Sequence, residues 1–388
     1  MDFVESDEHK ALRDAVADLG REFGMPYWMA RARSHESTDE LWEKAAQLGF
    51  IGINTPERYG GGGAGITELA MVCEELATAG SPLLLLVVSP AICATIIAQT
   101  GTEEQKQRFL PAMAAGTTKF AFAITEPDAG SNSHRIATTG LEQPDGSFRL
   151  TGRKYYISAV DQADYILVVG QSPQSREGGK IRPALFIVPT DAPGLDYRPI
   201  EMELTAPERQ FFCYFDDVHV PADNVVGGSL DAALPALFAG LNPERITVAA
   251  FSVGTARYAL RQAARYANER TVWQAPLGTH QGLAHPLAKA YIETELAKLM
   301  VYKAADLHDR GDALAAGEAS NMAKYAAAEA AWNALDAAIQ VHGGNGMTSE
   351  YGLATLLGVV RAMRIAPVSK EMILNFISQH SLGLPKSY

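Results

Sequence analysis

The chain has 388 residues, 47% of them hydrophobic and 20% charged, with a formal net charge of −12 from 33 Lys+Arg against 45 Asp+Glu. This much apolar material excludes a mainly disordered chain, and at about 100–200 residues per domain the length supports two or three units. The acidic balance disfavours nucleic-acid binding, and three scattered cysteines (Cys73, Cys93, Cys213) read as buried thiols in a reducing compartment, not as a disulfide frame or a metal set.

In chain order, residues 1–117 read as a helical unit. Its start is acidic (Asp2, Glu5, Asp7, Glu8), unlike a signal or transit peptide. Apolar spacing predicts helices over 8–23, 38–48, 66–78, 82–99 and 103–114, separated by Gly49, the run Gly60 to Gly63, Gly80-Ser81 and Gly116. Thr102 and Gln105 form a capping box at the start of the last. The apolar stretch 82–98 carries Ser89, Pro90 and Thr95, too short and interrupted for a bilayer span, and reads as a buried helix. No membrane segment is expected, and the expected location is cytoplasmic.

Residues 118–229 change character. Segments 120–125, 148–158, 165–170, 184–189 and 211–220 are rich in β-branched and aromatic residues. Turn signals at Pro144-Asp145-Gly146, Glu177-Gly178-Gly179 and Ala192-Pro193-Gly194 punctuate them. The expectation is a central antiparallel β domain. Strands and helices do not alternate, which argues against a doubly wound dinucleotide fold. Residues 230–388 return to helix, predicted over 242–270, 285–310, 314–341 and from 351 to about 380, and fit a four-helix bundle.

Four segments carry candidate chemistry. Thr125-Glu126-Pro127-Asp128-Ala129-Gly130-Ser131 leaves a strand into a loop of small residues, either a sheet-edge turn or a close backbone approach to a ligand. His342-Gly343-Gly344-Asn345-Gly346 ends a long helix, where three glycines in four positions suit either a tight turn or a flat or anionic ligand. Asn242-Pro243-Glu244-Arg245 reads as a helix start, with Asn242 as cap and Pro243 in the first position. Glu244 there is either an ordinary first-turn acid or, against Ile246, Val248 and Phe251, a base whose burial opposes the helix dipole. Arg270 near Trp273 suits a phosphate or stacking contact, or a plain helix C-terminus. No His or Cys spacing supports a metal site, and there is no GxSxG nucleophile elbow.

In order and spacing these motifs, together with residues 49–61, 101–106, 258–270 and 340–346, resemble the acyl-CoA dehydrogenase family over nearly the whole chain. The resemblance implies an FAD-dependent oxidoreductase of fatty acid metabolism and β-oxidation. Such an enzyme converts an acyl-CoA thioester to the trans-2-enoyl-CoA by loss of an α-proton and transfer of the β-hydride to flavin N5. By motif, Phe122, Ile124 and Thr125 would lie along the flavin. Ser131 would approach the flavin phosphate or the CoA arm, and Tyr156 and Ser158 stand where Trp and Thr are usual. Arg270, Trp273, Gln281, Gln340, His342, Gly343 and Gly344 resemble the parts that reach a neighbouring subunit's FAD. The implied assembly is thus a homotetramer, or a homodimer, with shared sites, and the implied electron acceptor is an electron-transfer flavoprotein.

The resemblance departs at the base. Most members carry a Glu where this chain has Pro367, in Ile365-Ala366-Pro367-Val368, and Pro has neither an ionisable group nor an N–H. A minority, including isovaleryl-CoA and long-chain acyl-CoA dehydrogenases, place the Glu at the position of Glu244. Glu244 is therefore the expected catalytic base, with Arg245 beside it facing the CoA. Acyl-chain length and branching stay open. The alternatives are an acyl-CoA oxidase or flavin monooxygenase on the same fold, or a non-catalytic partner subunit, although Arg270 and the 340–344 block argue against a subunit without FAD.

Overall fold

Helix α1 (Asp7–Ser34) begins where the Ser6 hydroxyl accepts the His9 N–H, and Asp7 and Glu8 face the positive end of its dipole. The computed structural model describes residues 4–386 apart from Gly178 and Gly179, so the expected turn at Glu177-Gly178-Gly179 lies partly outside the described residues. Gly24, at φ 62° and ψ −176°, breaks α1 where the apolar pattern stops. The chain then resumes helix to Ser34, which the sequence pattern did not indicate.

Helices α2 (Asp39–Gln47) and α3 (Ile66–Ala79) follow. The apolar stretch is then a continuous helical rod with a wide middle: α4 (Leu84–Leu86), a π-helical stretch Val87–Ala94, and α5 (Thr95–Thr100). Pro90 cannot donate a backbone hydrogen bond, and the π geometry absorbs the defect within a fully buried segment. Helix α6 (Glu103–Ala114) carries the expected Thr102/Gln105 capping box.

The central unit is a seven-stranded sheet among the described residues: β1 (Phe120–Ala123), β2 (Thr139–Glu142), β3 (Phe148–Ser158), β4 (Tyr165–Glu177), β5 (Lys180–Pro189), β6 (Leu195–Pro199) and β7 (Gln210–Val220). The short strands β2 and β6 lacked an apolar pattern strong enough to be anticipated. The sheet corrects one expectation, because it is not wholly antiparallel. β1 lies parallel to β4 from Phe120↔Tyr165 to Ala123↔Val168, since the chain makes β2 and β3 before returning to lay β4 beside β1. The pairs β2–β3, β3–β7, β4–β5 and β6–β7 are antiparallel.

Helix α7 (Ala233–Glu269) runs 37 residues and starts well before Asn242. This overturns the reading of Asn242 as an N-cap and Pro243 as a first-turn residue. Ala233, Ala236, Leu237 and Gly240 pack in the core with Ile92 and Ile96, which extends the helix past a proline that local rules would place at its start. A small hairpin, β8 (Thr271–Val272) and β9 (Ala275–Pro276), leads to α8 (Gln281–Asp309), and α9 (Ala313–His342) completes three long helices. Ala316, Ala319, Ala323, Ala327 and Ala330 form a buried stripe on α9, small enough for close helix approach. Helices α7 and α9 run parallel, since Ser320 contacts Asn242 at 3.3 Å and the His342 ring stacks on Tyr266 at 4.3 Å. The expected fourth long helix is divided into α10 (Leu356–Met363) and α11 (Lys370–Phe376), with Pro367 between them after a cis Ala366–Pro367 bond.

Candidate active site

The exit of β1 is fixed by a buried ion pair. Lys154 in β3 has no exposed side-chain surface, and its Nζ donates to the Ile124 carbonyl at 2.9 Å and to Glu126 Oε1 at 2.8 Å. Glu126 also accepts the N–H groups of Ala137 (2.5 Å) and Thr138 (2.9 Å). Burial pulls the Lys154 ammonium down to about 8, while Glu126 partly opposes the shift. Burial works to raise the Glu126 carboxyl, but Lys154 and the two neighbouring donors outweigh it and hold it below the ordinary range. Both groups are therefore charged at neutral pH. The Tyr155 N–H adds a bond to the Thr125 carbonyl at 2.9 Å.

These ties bring the β1 exit, with Phe122, Ile124 and Thr125, beside the end of β3 that carries Tyr156 and Ser158. Tyr156 sits on the β3 irregularity opposite β7, at φ 60°, with 51% of its surface exposed. A left-handed tyrosine is strained, and the strain turns an aromatic ring outward beside Tyr155, 4.2 Å away between centroids. Ser158 contacts Gln210 Oε1 at 3.1 Å. Ser131 is exposed in the loop beyond Glu126, where Glu126 and Ala129 exchange two backbone hydrogen bonds.

Glu244 lies on α7 among partly exposed neighbours, with Leu241, Arg245 and Val248 on adjacent turns. Burial raises its carboxyl to about 7, against the pull of Arg245 and Lys324. Because α7 begins at Ala233, no helix N-terminus lies at Glu244 to offset that rise. Cys93 links the two halves: its thiol lies within the field of Glu244 and contacts the Ala121 carbonyl at 3.7 Å in β1. Arg245 donates to Asn242 Oδ1 at 3.0 Å, while its buried Nε has no protein partner.

The other predicted residues form a second cluster. Arg270 follows α7, exposed and without an ion pair among the described residues. Trp273 is 88% exposed at the tip of the β8–β9 turn, where it and Gln274 take φ of 49° and 71°. Gln281 opens α8, and Gln340 lines a groove of about 310 Å³ with Gly282, Pro286 and Lys289. The His342 side chain is buried and its Nδ1 is bonded to the Ala338 carbonyl at 2.7 Å, so what this segment offers outward is the backbone of Gly343 and Gly344. At a helical rise of 1.5 Å per residue, Arg270 stands about 40 Å along α7 from Glu244. The structure thus brings the predicted residues together as two groups within one chain, not as one site.

The two groups suit an extended flavin nucleotide. Tyr156 presents an uncovered aromatic face, and the hydroxyls of Thr125 and Ser158 are partly exposed beside it. Gly344 has open space where a Cβ would stand, so no intramolecular contact requires a glycine there. At Gly346, by contrast, an added Cβ would stand 2.6 Å from the Ile339 carbonyl oxygen. Internal packing explains the second. Among the described residues no group of His, Cys, Asp and Glu is placed to hold a metal ion. None of their helices is long and apolar enough to cross a membrane.

Three family descriptions cover most of the chain: acyl-CoA dehydrogenase N-terminal domain (residues 6–117), middle domain (121–218) and C-terminal domain (234–382). The chain belongs to the acyl-CoA dehydrogenase family. It is 59% identical to acyl-CoA dehydrogenase FadE12 of Mycobacterium tuberculosis, over 100% of this chain and 99% of that protein. It is 33% identical to the probable acyl-CoA dehydrogenase YngJ of Bacillus subtilis, over 96% and 97%. Among solved structures, butyryl-CoA dehydrogenase of Megasphaera elsdenii matches with TM-score 0.91 at 28% identity, covering 98% of this chain and 100% of that one. A glutaryl-CoA dehydrogenase–glutaryl-CoA complex matches with TM-score 0.94 at 28% identity, covering 100% and 98%. Acyl-CoA dehydrogenases are FAD-dependent oxidoreductases acting on acyl-CoA thioesters, and the helical–β–helical architecture is theirs.

Sequence reasoning missed Lys154, Glu126, Lys324 and Cys93. Lys154 had a signal: it occupies an inward position of β3, in phase with Phe148 and Leu150. A lysine there needs a buried anion. Lys324 had a similar one, as a cation within the alanine-rich buried face of α9.

Proposed function

We propose that this acyl-CoA dehydrogenase removes the α-proton of its thioester substrate with Glu244 and passes the β-hydride to FAD, giving the trans-2-enoyl-CoA. The observation that carries the reading is part-buried Glu244, whose carboxyl burial raises to about 7, on a helix whose first turns share a core cluster with Phe120 and Phe122 of β1. A base works best when its pKa lies near the operating pH. Pro367, at the alternative position, offers neither a carboxyl group nor an N–H, so polarising the thioester oxygen falls to other donors.

Bound FAD supplies the hydride acceptor at N5. Phe122, Ile124, Thr125, Tyr156 and Ser158 form its ring-side wall, with Ser131 toward its phosphate or the CoA arm. Arg270, Trp273, Gln281, Gln340, His342, Gly343 and Gly344 hold the nucleotide end of a neighbouring subunit's FAD. The separation of about 40 Å between the groups supports that sharing. Arg245 meets the CoA portion, a local cation on an acidic protein binding a polyanion. The assembly is a homotetramer or homodimer of units divided near 117 and 229, acting in fatty acid β-oxidation in the cytoplasm and passing electrons to an electron-transfer flavoprotein.

Glu244→Gln tests the reading. The variant should purify yellow with an unchanged flavin spectrum, and its anaerobic reduction by acyl-CoA should slow by about 10²- to 10⁴-fold. Reduction at the normal rate would remove Glu244 from the mechanism.

A further inference from the structure

Lys324 is almost wholly buried, 1% exposed, in the middle of α9. Its Nζ donates to the Val368 carbonyl at 2.5 Å, and it forms no ion pair among the described residues. A buried ammonium bonded to a neutral carbonyl and to no carboxylate is costly, so its position calls for a reason.

The helix register supplies one. Since α7 and α9 run parallel and Ser320 stands level with Asn242, Lys324 stands about level with Ile246. Side chains on a helix tilt toward its N-terminus, which carries the ammonium back to the level of Glu244 and Arg245. Val368 follows Pro367, so one side chain ties the loop after α10 to α9 and points toward α7.

We propose that Lys324 is a positioning residue for Glu244: its ammonium, anchored on the Val368 carbonyl, faces the carboxylate and fixes both its charge and the loop that carries Pro367. The inference rests on Glu244 being the base. The groups that act on Glu244 or feel its charge are Arg245 on its own helix, Lys324 on α9 and Cys93 on the π-helical stretch; Glu329, which pairs with Arg364, and Glu371 also act on Lys324. Burial brings the ammonium to about 8, with Glu244 opposing the fall, and it holds Glu244 lower than burial alone would.

The test is titration of the holoenzyme by NMR. Glu244 is read from ¹³Cδ-labelled glutamate, identified by its loss in Glu244→Gln, and Lys324 from its ¹⁵Nζ resonance. In Lys324→Met the Glu244 midpoint should rise by about 1 to 2 units, and the pH profile of flavin reduction should move with it. Lys324→Arg should keep the native midpoint. Coupling is reciprocal, so in the near-isosteric Glu244→Gln the Lys324 midpoint should fall, a measurement that stands even where Lys324→Met does not fold. An unmoved Glu244 in Lys324→Met, or an unmoved Lys324 in Glu244→Gln, overturns the proposal. Normal flavin reduction in Glu244→Gln overturns the base assignment instead, while leaving the coupling to be read from the two titrations.

Discussion

At the scale of single residues, the site depends on charges that have no water to fall back on. Lys154 and Glu126 hold the β1 exit, and removing one alone strands the other in the interior. Lys154→Met should cost about 3–5 kcal/mol in urea unfolding, and Lys154→Met with Glu126→Gln should recover much of that loss. A single variant within 1 kcal/mol of the native protein would show that the pair is not structural. Residue chemistry was only partly legible in the sequence. Glu244 could be named because Pro367 leaves the other position without an acid. The direction of its shift could not, because it turned on where α7 begins. Lys324 stood out as a cation in an alanine-rich buried face, but its partner could not be named because that lies on another helix, α7.

Among the elements, the rod from Leu84 to Thr100 is the least ordinary, and its start is held by an acid from the loop just before β7. Glu208 is buried, accepts the Leu84 and Leu85 N–H groups at 2.8 and 3.4 Å, and is raised by burial to about 7. An acid whose pKa rises on folding favours the folded state while protonated. Its contribution is complete below about 4.5 and is lost as the pH climbs through 7. Glu208→Gln keeps an acceptor for the same N–H groups without the charge. It should match the native protein near pH 4 and exceed its stability by about 3 kcal/mol above pH 8 in denaturant titrations. A gap that does not change with pH would refute this. Element limits were readable where caps and breakers coincide, as at Thr102 with Gln105. They were misread at Asn242-Pro243, where packing of the preceding apolar turns outweighs a locally favourable start.

For the whole molecule, α8 turns a row of large apolar side chains outward: Tyr291, Ile292, Leu296 and Leu299. Such a stripe suits the assembly proposed above, in which a second chain shares the FAD site. Ile292→Lys with Leu296→Lys should give a smaller species in sedimentation that loses FAD on dilution. Native mass with full flavin content would separate assembly from cofactor retention. The helical–β–helical order was legible in the sequence from apolar spacing, β-branched segments and turn signals. The separation of its functional residues into two groups was not, since it needs the length of α7 in space.

That length has a geometric consequence. Helix α7 is one uninterrupted shaft bearing an acid near its first third and a guanidinium just past its end. Adding a single amino acid anywhere between the two would swing the far end through about 100° and push it outward by about 1.5 Å. The link Arg310-Gly311-Asp312 between α8 and α9 imposes no such phase, so in this chain a residue added there should leave flavin content unchanged, while one added between positions 244 and 270 should lower it.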